Sequence, residues 1–496
     1  MNLTTDLLER FPASKPALVT ISADGERRVW HFGELIARAA GLSGALAARG
    51  VGRGDVVMTL VGNRIEWVLT LLACWRMGAI ALPCSTQLRR GDLEHRVAAT
   101  DPAICVGEDG LLAELPDRVE RMTLDQVWAA LDEDRAQEHP VEPADLDPEE
   151  GALVVFTSGT TGEPRGVLHV QRYLPAQEAQ ARHWLGAEED ELVWCTTATG
   201  WSKSARNVFL APWLCGASAL IVEGRFDPAE RLELCEREGV NVLCQAPTEY
   251  RILAKRGLVR RVGSLRRAVS AGEALDPGVI ADWRERAGLD ICDGYGQTET
   301  GHITGNLVGE PVRDGSMGRP LPGFEVRVLA EEPGEPGELQ VRAATCPTFF
   351  GRYLGAGEPP ELVEGEWWRT GDLVREDGEG FLWYESRTDD VILTSGYRIG
   401  PFEVESALAS HPAVAEAAAV PAPDEERGQV VRAIVVLREG EPSDELAREL
   451  QDHVKRTTAP YKFPRIVEFA EALPRTSSGK VKRAELRAAG EPGAPA

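Results

Sequence analysis

Apolar and polar residues alternate along most of this chain with two periods, one typical of helices and one typical of buried strands. The run ELIARAAGLSGALAARG (34–50) has Leu and Ala at helical spacing and ends on Gly50, which suits a helix terminus. The run DVVMTLVG (55–62) that follows predicts a short buried strand. Strand-like runs recur at RRAVSAG, EVRVLA and GELQVRAA. This alternation predicts a layered α/β architecture.

The early segment WVLTLLACWRMGAIALPC (67–84) is the test case for a membrane span. Arg76 interrupts it, and it falls short of the about 20 apolar residues that a span needs. It therefore predicts a buried helix that runs into a strand. The N-terminal residues MNLTTDLLERFPASKP are acidic where a signal peptide would be basic and then apolar. We expect a cytoplasmic protein with no integral membrane segment.

Two stretches suggest how the chain is divided. The acidic, proline-containing residues 131–150 predict an exposed connection in front of the strand-like ALVVFT. The residues YESRTDDVILTSGYRIG (384–400) contain a second boundary, which we place between residues 386 and 387. The pattern thus predicts a large N-terminal α/β domain of several sheets and helices (1–386) and a small α+β C-terminal domain (387–496).

Composition excludes several classes of function. The formal net charge of −25 argues against non-specific binding to nucleic acid or to an acidic membrane, so a polyanionic ligand needs local donors. The nine cysteines form no CxxC pair and no Cys/His cluster at zinc spacing. We expect reduced core thiols.

The loop in VVFTSGTTGEPRGVLHV (154–170) carries the first candidate chemistry. It lacks the GxxxxGK[ST] pattern of a Walker A loop. Ser158 is not a nucleophile elbow, because Phe156 and Thr160 stand where that motif has glycines. The remaining interpretations are a phosphate cradle of backbone amides and hydroxyls, or a plain mobile turn.

Six motifs in order bring a resemblance that covers nearly the whole chain. They are TSGTTGEPRG (157–166), SAGEAL (270–275), DGYGQTETG (293–301), RTGD (369–372), RTDDVILTSGYRIGPFEVE (387–405) and PRTSSGKVKR (474–483). Together they resemble the adenylate-forming superfamily of acyl-CoA synthetases, nonribosomal adenylation domains and luciferases. The runs GYRIGPFEVESAL and TGWSKSARNVFLAPWLCGA are most similar to medium-chain acyl-CoA synthetases.

The resemblance implies a nucleotide site built mainly from the N-terminal domain, with Arg387 from the start of the C-terminal domain. Glu299 would bind Mg²⁺ and Thr298 would contact the α-phosphate, whereas an acid alone in a loop would only be solvated. Asp372 and Arg387 would bind the ribose, although a TGD sequence by itself is an ordinary turn. The phosphates would contact Thr157, Ser158, Gly159, Thr160, Thr161 and Gly162. The adenine would be flanked by Gly272, Glu273, Ala274, Asp293, Gly294 and Tyr295.

The resemblance also implies a mobile C-terminal lid that carries the catalytic lysine. Lys480 would bridge the acyl carboxylate and the phosphate; without the family it is one more lysine of a basic, solvated segment. Asp389 matches the hinge position about which the lid rotates between the two half-reactions. Gly396 would line the passage for the thiol, and Arg398 would contact phosphate.

The acyl pocket is implied by two positions. Gly296 stands where acetate-specific relatives have a Trp, which predicts room for a larger acid at about 0.8 kcal/mol for each buried methylene. Trp201 would line the pocket, or it is a plain core residue; Gly272 is a further candidate. Arg165 stands where the family usually has Lys, and it contacts either the leaving phosphate or only the surface.

The implied activity is an ATP-dependent, AMP-forming acid–thiol ligase with Mg²⁺ as cofactor and CoA as co-substrate. A medium-chain, branched or aryl acid is expected in preference to acetate. Two alternatives stay open, an adenylation enzyme that loads a carrier protein in trans and a nonenzymatic nucleotide-binding regulator. The expected partners are small molecules, without nucleic acid, and the chain is expected to be a monomer or a homodimer.

Overall fold

A computed structural model describes residues 1–131, 141–157, 164–273, 275–332, 334–354, 360–388, 390–394, 397–424, 428–458, 462–475 and 480–489. These residues form two compact units. The first unit contains residues 1–157, 164–325 and 342–368. The second contains residues 326–341 and the residues from Arg369 onward. The predicted domain boundary between residues 386 and 387 stays a prediction.

Helices are found in both units. The α-helices are Phe32–Ala48 (α1), Ile65–Met77 (α2), Arg90–Thr100 (α3), Asp109–Leu112 (α4), Leu124–Ala130 (α5), Glu178–Gln180 (α6), Ser202–Ala205 (α7), Ala211–Leu214 (α8), Arg231–Glu238 (α9), Pro247–Lys255 (α10), Pro277–Ala287 (α11), Pro401–Ala409 (α12), Asp444–Thr457 (α13) and Arg483–Ala488 (α14). Short π-helical turns are Thr4–Leu8, Ala181–Leu185 and Arg206–Leu210, and short 3₁₀ turns are Gln171–Tyr173, Pro175–Gln177 and Ala343–Thr345.

Strands alternate with these helices in the first unit and dominate the second. The strands are Pro16–Ile21 (β1), Arg27–His31 (β2), Val56–Leu60 (β3), Ile80–Pro83 (β4), Ile104–Gly107 (β5), Glu120–Thr123 (β6), Gly151–Phe156 (β7), Gly166–Val170 (β8), Leu192–Cys195 (β9), Ser218–Val222 (β10), Val242–Gln245 (β11), Arg267–Ala271 (β12), Ile291–Gln297 (β13), Gly301–Gly305 (β14), Arg319–Pro320 (β15), Val326–Leu329 (β16), Gly337–Arg342 (β17), Arg352–Tyr353 (β18), Trp367–Glu376 (β19), Leu382–Arg387 (β20), Ile392–Thr394 (β21), Tyr397–Ile399 (β22), Val414–Asp424 (β23), Gly428–Leu437 (β24) and Ile466–Phe469 (β25).

The first unit is built on two large sheets. A nine-stranded sheet has the order β15-β14-β13-β12-β11-β9-β10-β1-β2, and a seven-stranded sheet has the order β18-β8-β7-β4-β3-β5-β6. Strands β9 to β13 are parallel, so their carboxyl ends meet at one edge of the sheet. Both faces of these strands are buried, as their nearly continuous apolar sequences predict. The SAGEAL and DGYGQTETG motifs lie at this edge.

The second unit contains smaller sheets. Strands β16, β17, β19 and β20 form one sheet, β21 and β22 form a hairpin, and β23, β24 and β25 form a three-stranded sheet. A core of Val404, Leu408, Val431, Leu450 and Val454 joins α12 and α13 to the three-stranded sheet. Val404 and Leu408 of α12 are four residues apart, as are Leu450 and Val454 of α13, which is the spacing of one face of an amphipathic helix.

The structure confirms the predicted α/β fold class and the main elements. The helical run at 34–50 is α1, and the apolar segment at 67–84 is the buried helix α2 followed by strand β4. The nine cysteines are all free, and eight of them are buried. Among the described residues, the helices lack the combined length and apolar character that a bilayer crossing requires.

Candidate functional site

Two neighbouring parallel strands of the first unit bring the predicted adenine-side residues together. Ser270 of β12 lies opposite Asp293 of β13, and Ala271 lies opposite Gly294. Gly272 follows directly with a φ of +108°, a conformation that glycine adopts without strain. The ends of the SAGEAL and DGYGQTETG motifs therefore share one sheet edge.

The polar side chains at this edge differ in environment. Asp293 is buried, and burial raises its pKa to about 8 although the amide of Gly294 donates to Oδ1 at 2.9 Å. Glu273 is fixed by Thr248, whose hydroxyl donates to Oε2 at 2.8 Å. Tyr295 is partly exposed, and Ala274 lies outside the described residues. The assignment of these residues to adenine stays a prediction.

Gly294 and Gly296 have no room for a side chain. A Cβ on Gly294 would lie 2.3 Å from Nε2 of His302 and 2.6 Å from Nε1 of Trp184. A Cβ on Gly296 would lie 1.9 Å from the carbonyl oxygen of Gly301 on the paired strand β14. The argument that Gly296 opens pocket space is therefore corrected, because its missing Cβ points at backbone. Its place in the acyl pocket stays a prediction.

Glu299, the predicted magnesium ligand, is held by a neighbour that the motifs did not reveal. The hydroxyl of Tyr353 donates to Oε1 of Glu299 at 2.8 Å. Burial and the Glu299 carboxylate raise the pKa of Tyr353 above its usual range, so the phenol remains a donor. The guanidinium of Arg165 lies over the Tyr353 ring, 4.3 Å from its centroid. The exposed Arg165 thus has an aromatic contact, and its predicted phosphate contact stays untested.

The turn that carries Thr298 and Glu299 is fixed from several sides. The amide of Gln297 donates to Oγ1 of Thr300 at 3.1 Å, and Nε1 of Trp368 donates to the Gln297 side chain at 3.3 Å. The carbonyl of Thr300 accepts from the Thr348 hydroxyl at 2.5 Å. These bonds keep the turn after β13 rigid and leave Thr298 partly exposed.

The surroundings of Glu299 fit a magnesium ion that also binds phosphate. Mg²⁺ commonly takes one or two carboxylates and fills its other positions with water and substrate phosphate oxygens. Glu299 is partly exposed, and within the described part of the chain it makes no ion pair. Its second oxygen, Oε2, is thus available to the ion.

The glycine-rich loop is described only at its ends. Strands β7 and β8 are antiparallel, with Phe156 opposite Gly166. The amide of Thr157 donates to the carbonyl of Arg165 at 3.0 Å, which closes the base of the loop. Ser158, Gly159, Thr160, Thr161 and Gly162 lie outside the described residues, and their phosphate contacts stay predictions.

Trp201 is the N-cap residue of α7. Its carbonyl accepts from the amide and the hydroxyl of Ser204 at 2.9 and 2.7 Å, which begins the helix. Two residues later, Nζ of Lys203 donates to the carbonyl of Ala271 at 2.8 Å and ties the helix to the strand end. Trp201 is partly exposed, and whether it contacts the acyl group stays a prediction.

In the second unit, the predicted ribose residues form a cross-strand pair. Asp372 of β19 lies opposite Arg387 of β20. Nη1 of Arg387 donates to Oδ1 of Asp372 at 3.1 Å and to the carbonyl of Thr370 at 2.9 Å. Gly371 has a φ of +67°, and a Cβ there would lie 2.9 Å from Nη2 of Arg387. The RTGD turn is therefore shaped around this arginine, and its ribose role stays a prediction.

The predicted lid residues are described in part. Lys480 is exposed and directly precedes Val481, which forms a bridge with Arg475. Asp389 and Gly396 lie outside the described residues. Arg398 belongs to strand β22, and its side chain is likewise outside the description. The roles given to Lys480 and to these three residues stay predictions.

The sequence reasoning missed Tyr353, Lys203 and Arg206. Tyr353 is 54 residues from Glu299 along the chain, and no spacing rule links them. Lys203 and Arg206 lie inside the run TGWSKSARNVFLAPWLCGA. Cations so close to the apolar residues that follow them are unusual in a buried segment, and this could have marked both as candidates.

The comparison with protein families agrees with this geometry. Residues 6–353 match the model of the AMP-binding enzymes, and residues 403–480 match that of the AMP-binding enzyme C-terminal domain. The first match covers the strand ends with Gly272, Asp293 and Glu299, and it ends at Tyr353. The second match begins after Arg387 and ends at Lys480.

Similar proteins span nearly the same length. An uncharacterized acyl–CoA ligase of Bacillus subtilis (strain 168) is 40% identical over 98% of this chain and 95% of its own. The mitochondrial acyl-coenzyme A synthetase ACSM3 of Mus musculus is 38% identical over 96% of this chain and 86% of its own. The crystal structure of an anthranilate CoA ligase with anthranoyl-AMP superposes with a TM-score of 0.87 at 28% identity, over 99% of this chain and 97% of its own. The chain belongs to the AMP-binding enzyme family and is an acyl-CoA ligase.

Proposed function

We propose that this enzyme uses ATP to convert a carboxylic acid to an acyl-adenylate, releases pyrophosphate, and transfers the acyl group to CoA with loss of AMP. The observation that carries the proposal is the Glu299 carboxylate at the carboxyl end of β13, oriented by Tyr353 at 2.8 Å and without an ion pair among the described residues. This is the donor expected where a metal–phosphate complex binds.

The first half-reaction brings a carboxylate against a polyphosphate, so like charges repel. The magnesium ion, when bound at Glu299, offsets this repulsion and the charge that develops in the transition state. Glu299 would hold the ion, and Thr298 donates its hydroxyl to the α-phosphate. Asp372 accepts from the ribose hydroxyls while Arg387 fixes the orientation of the Asp372 carboxylate.

Lys480 supplies positive charge between the acyl carboxylate and the α-phosphate in the first half-reaction. Rotation at Asp389 then moves Lys480 away and brings the residues near Gly396 into its place. The thiol of CoA enters along these residues and attacks the acyl carbon, and AMP departs. Because Lys480 serves only the first step, its loss and the loss of the hinge affect different half-reactions. Asp389→Pro is expected to slow thioester formation and to spare adenylate formation.

The acyl substrate is proposed to be larger than acetate. The similarity to the acyl-coenzyme A synthetase ACSM3 and to an anthranilate CoA ligase supports a medium-chain, branched or aryl acid, without a choice between them. Trp201, partly exposed at the start of α7, is the side chain proposed to line the pocket. A kcat/KM for acetate that is tenfold or more above those for hexanoate and benzoate would contradict this proposal.

A single screen tests the proposed function. Purified enzyme with MgATP is offered a panel of carboxylic acids, and release of pyrophosphate and of AMP is measured with and without CoA. We expect acid-dependent pyrophosphate release and CoA-dependent AMP release. Turnover that needs a carrier protein instead of CoA, or the absence of pyrophosphate release with every acid, would contradict the proposal.

A further inference from the structure

Arg206 is a buried cation without an ion pair among the residues that the structure describes. Its side chain is 5% exposed, at the start of the π-helical turn Arg206–Leu210. Among the described residues, its Nε and Nη1 atoms have no hydrogen-bond partner and its guanidinium has no ion pair. A guanidinium stays protonated in proteins, and a buried charge without a partner is costly. The position therefore favours an added group that brings negative charge and hydrogen-bond acceptors.

A second cation lies on the same side of this helical segment. Lys203 precedes Arg206 by three residues, a spacing that places the two side chains next to each other. Nζ of Lys203 donates to the carbonyl of Ala271, and in the described part of the chain no carboxylate forms an ion pair with it. Two like charges at this spacing destabilise a helix. An anion that binds both would remove that cost.

Several polar groups of the described residues lack partners near Arg206, either next to it along the chain or around His169, whose pKa is lowered by burial and by the charge of Arg206. Nε2 of Gln180 donates to Oδ1 of Asn207 at 2.6 Å. Nδ2 of the same Asn207 is buried and has no hydrogen-bond partner among the described residues. The His169 ring stacks on Tyr173 with centroids 4.0 Å apart. Both nitrogens of His169 and the Tyr173 hydroxyl are buried and unbonded in the same described set. Buried polar groups of this kind normally have partners.

The two nearby histidines and Asp293 do not provide the missing negative charge. The Cys195 thiol also senses Lys203: burial raises its pKa, but hydrogen bonding with Cys244 and the charge of Lys203 lower that pKa below its usual value. Burial, together with the charge of Arg206, lowers the pKa of His169 to about 3 and that of His302 well below its usual value. Burial raises the pKa of Asp293, which senses the charge of Lys203, to about 8. At neutral pH both imidazoles are neutral and most Asp293 carboxyls are protonated. These two histidines and Asp293 therefore do not neutralise the two cations.

The two cations adjoin the predicted acyl pocket. Nε2 of His302 lies against Gly294 in the DGYGQTETG strand, and the Lys203 ammonium lies at Ala271, next to Gly272. Trp201 precedes Lys203 by two residues on the same helix. A ligand that enters beside Trp201 with its reacting carboxylate toward Thr298 would present its far end to the helix that carries the two cations.

We propose that Arg206 and Lys203 bind a second carboxylate at the far end of the acid that this enzyme activates. The inference rests on the proposed function and narrows its substrate class to medium-sized or aryl dicarboxylic acids. The second carboxylate accepts from the Arg206 guanidinium, whose planar fork suits two carboxylate oxygens, and from the Lys203 ammonium. It stays ionised and unreacted while the first carboxylate is adenylated.

Matched acids test this proposal. Each α,ω-dicarboxylic acid from succinate to sebacate is compared with the monocarboxylic acid of the same carbon number, and each benzenedicarboxylate is compared with benzoate, in pyrophosphate and AMP release. We expect at least one dicarboxylic acid to exceed its partner in kcat/KM by about tenfold or more. In Arg206→Met this ratio should fall by about thirtyfold or more, since one partner of a buried charge pair is lost.

Two variants control the interpretation. Arg206→Lys keeps the charge and should recover part of the lost ratio. Arg231→Met removes another buried arginine of the first unit, paired with Glu249 at 2.9 Å, and should leave the ratio of the two acids unchanged even where stability falls. Equal losses for both acids in Arg206→Met would overturn the proposal, because the cations would then hold the reacting carboxylate or only water.

A binding measurement decides the matter if Arg206→Met does not fold. Without ATP, the dicarboxylic acid should raise the Tm of the wild-type enzyme more than its monocarboxylic partner does, and Lys203→Met should reduce this difference. Equal shifts for both acids in the wild-type enzyme would overturn the inference. Turnover of monocarboxylic acids alone would overturn this inference and leave the proposed function intact, whereas no turnover with any acid would overturn the proposed function.

Discussion

The two units hold their candidate carboxylates in opposite ways. In the first unit, Glu299 accepts a hydrogen bond from the neutral phenol of Tyr353 and makes no ion pair in the described part of the chain. In the second unit, Asp372 is paired with Arg387 across two strands, with the two atoms 3.1 Å apart. A carboxylate without a cation keeps its charge for a metal, whereas one already paired with arginine suits neutral hydroxyls. The two environments match the two proposed ligands, magnesium and ribose.

The largest effect is expected for Lys480, the residue of the second unit that is proposed to supply positive charge to the adenylation step. Lys480→Ala should lower the rate of adenylation by about 10³-fold, because a positive charge aimed at the transition state is lost. Thioester formation from preformed acyl-adenylate should change little. Both half-reactions are measured separately, with Lys482→Ala, a substitution of an exposed lysine paired with Glu485, as the control. Equal loss of both half-reactions would contradict the role of Lys480.

The next effect tests the metal side of the comparison. Glu299→Gln keeps the shape of the side chain and its bond to Tyr353 but removes the charge, so kcat/KM for MgATP should fall by about 10²-fold. The Mg²⁺ concentration that gives half-maximal pyrophosphate release should rise. A normal magnesium dependence in this variant would show that the ion binds elsewhere.

A smaller loss is expected on the ribose side. Asp372→Asn leaves a neutral acceptor opposite Arg387, and KM for ATP should rise by about tenfold, in line with one weakened charge-assisted hydrogen bond. The Mg²⁺ dependence should stay normal, which separates this variant from Glu299→Gln. 2′-Deoxy-ATP supplies the check. If a lost hydroxyl contact is the cause, KM for this nucleotide should differ little between the wild type and Asp372→Asn. A changed magnesium dependence with an unchanged KM for ATP would reverse the two assignments.

The smallest effect isolates the positioning of Glu299. Tyr353→Phe keeps the ring beneath Arg165 and removes only the hydroxyl, so the affinity for MgATP should fall by about three- to tenfold, the usual worth of one hydrogen bond. Calorimetric titration with Mg²⁺ and a nonhydrolysable ATP analogue measures this directly, apart from turnover. An affinity unchanged from wild type would leave Tyr353 a packing residue.

Local patterns predicted the elements and much of the first unit. The 34–50 run and the apolar segment at 67–84 carry their period within one element, so α1, α2 and β4 could be predicted without tertiary contacts. The sharing of one sheet edge by Gly272 and Asp293 follows from parallel strands whose carboxyl ends coincide.

Contacts between distant residues could not be predicted in this way. The bond between Tyr353 and Glu299 depends on how β18 and the turn after β13 are placed in three dimensions. The case of Gly296 is similar, because the identity of the residue shows that a side chain is missing but not what its Cβ would face. The answer, the carbonyl of Gly301, depends on the register of β13 and β14 and on the irregularity between Tyr295 and Gly296.

The crowding at Gly294 and Gly296 has a practical consequence for redesigning this enzyme. A Cβ at Gly294 would lie 2.3 Å from Nε2 of His302, and one at Gly296 would lie 1.9 Å from the carbonyl oxygen of Gly301, so a side chain at either position requires its neighbours to move. Trp201 and Lys203, at the start of α7, are partly exposed, so a change of side-chain size at these two positions disturbs less packing. Attempts to give the ligase new acids should therefore vary the helix and keep the strand constant.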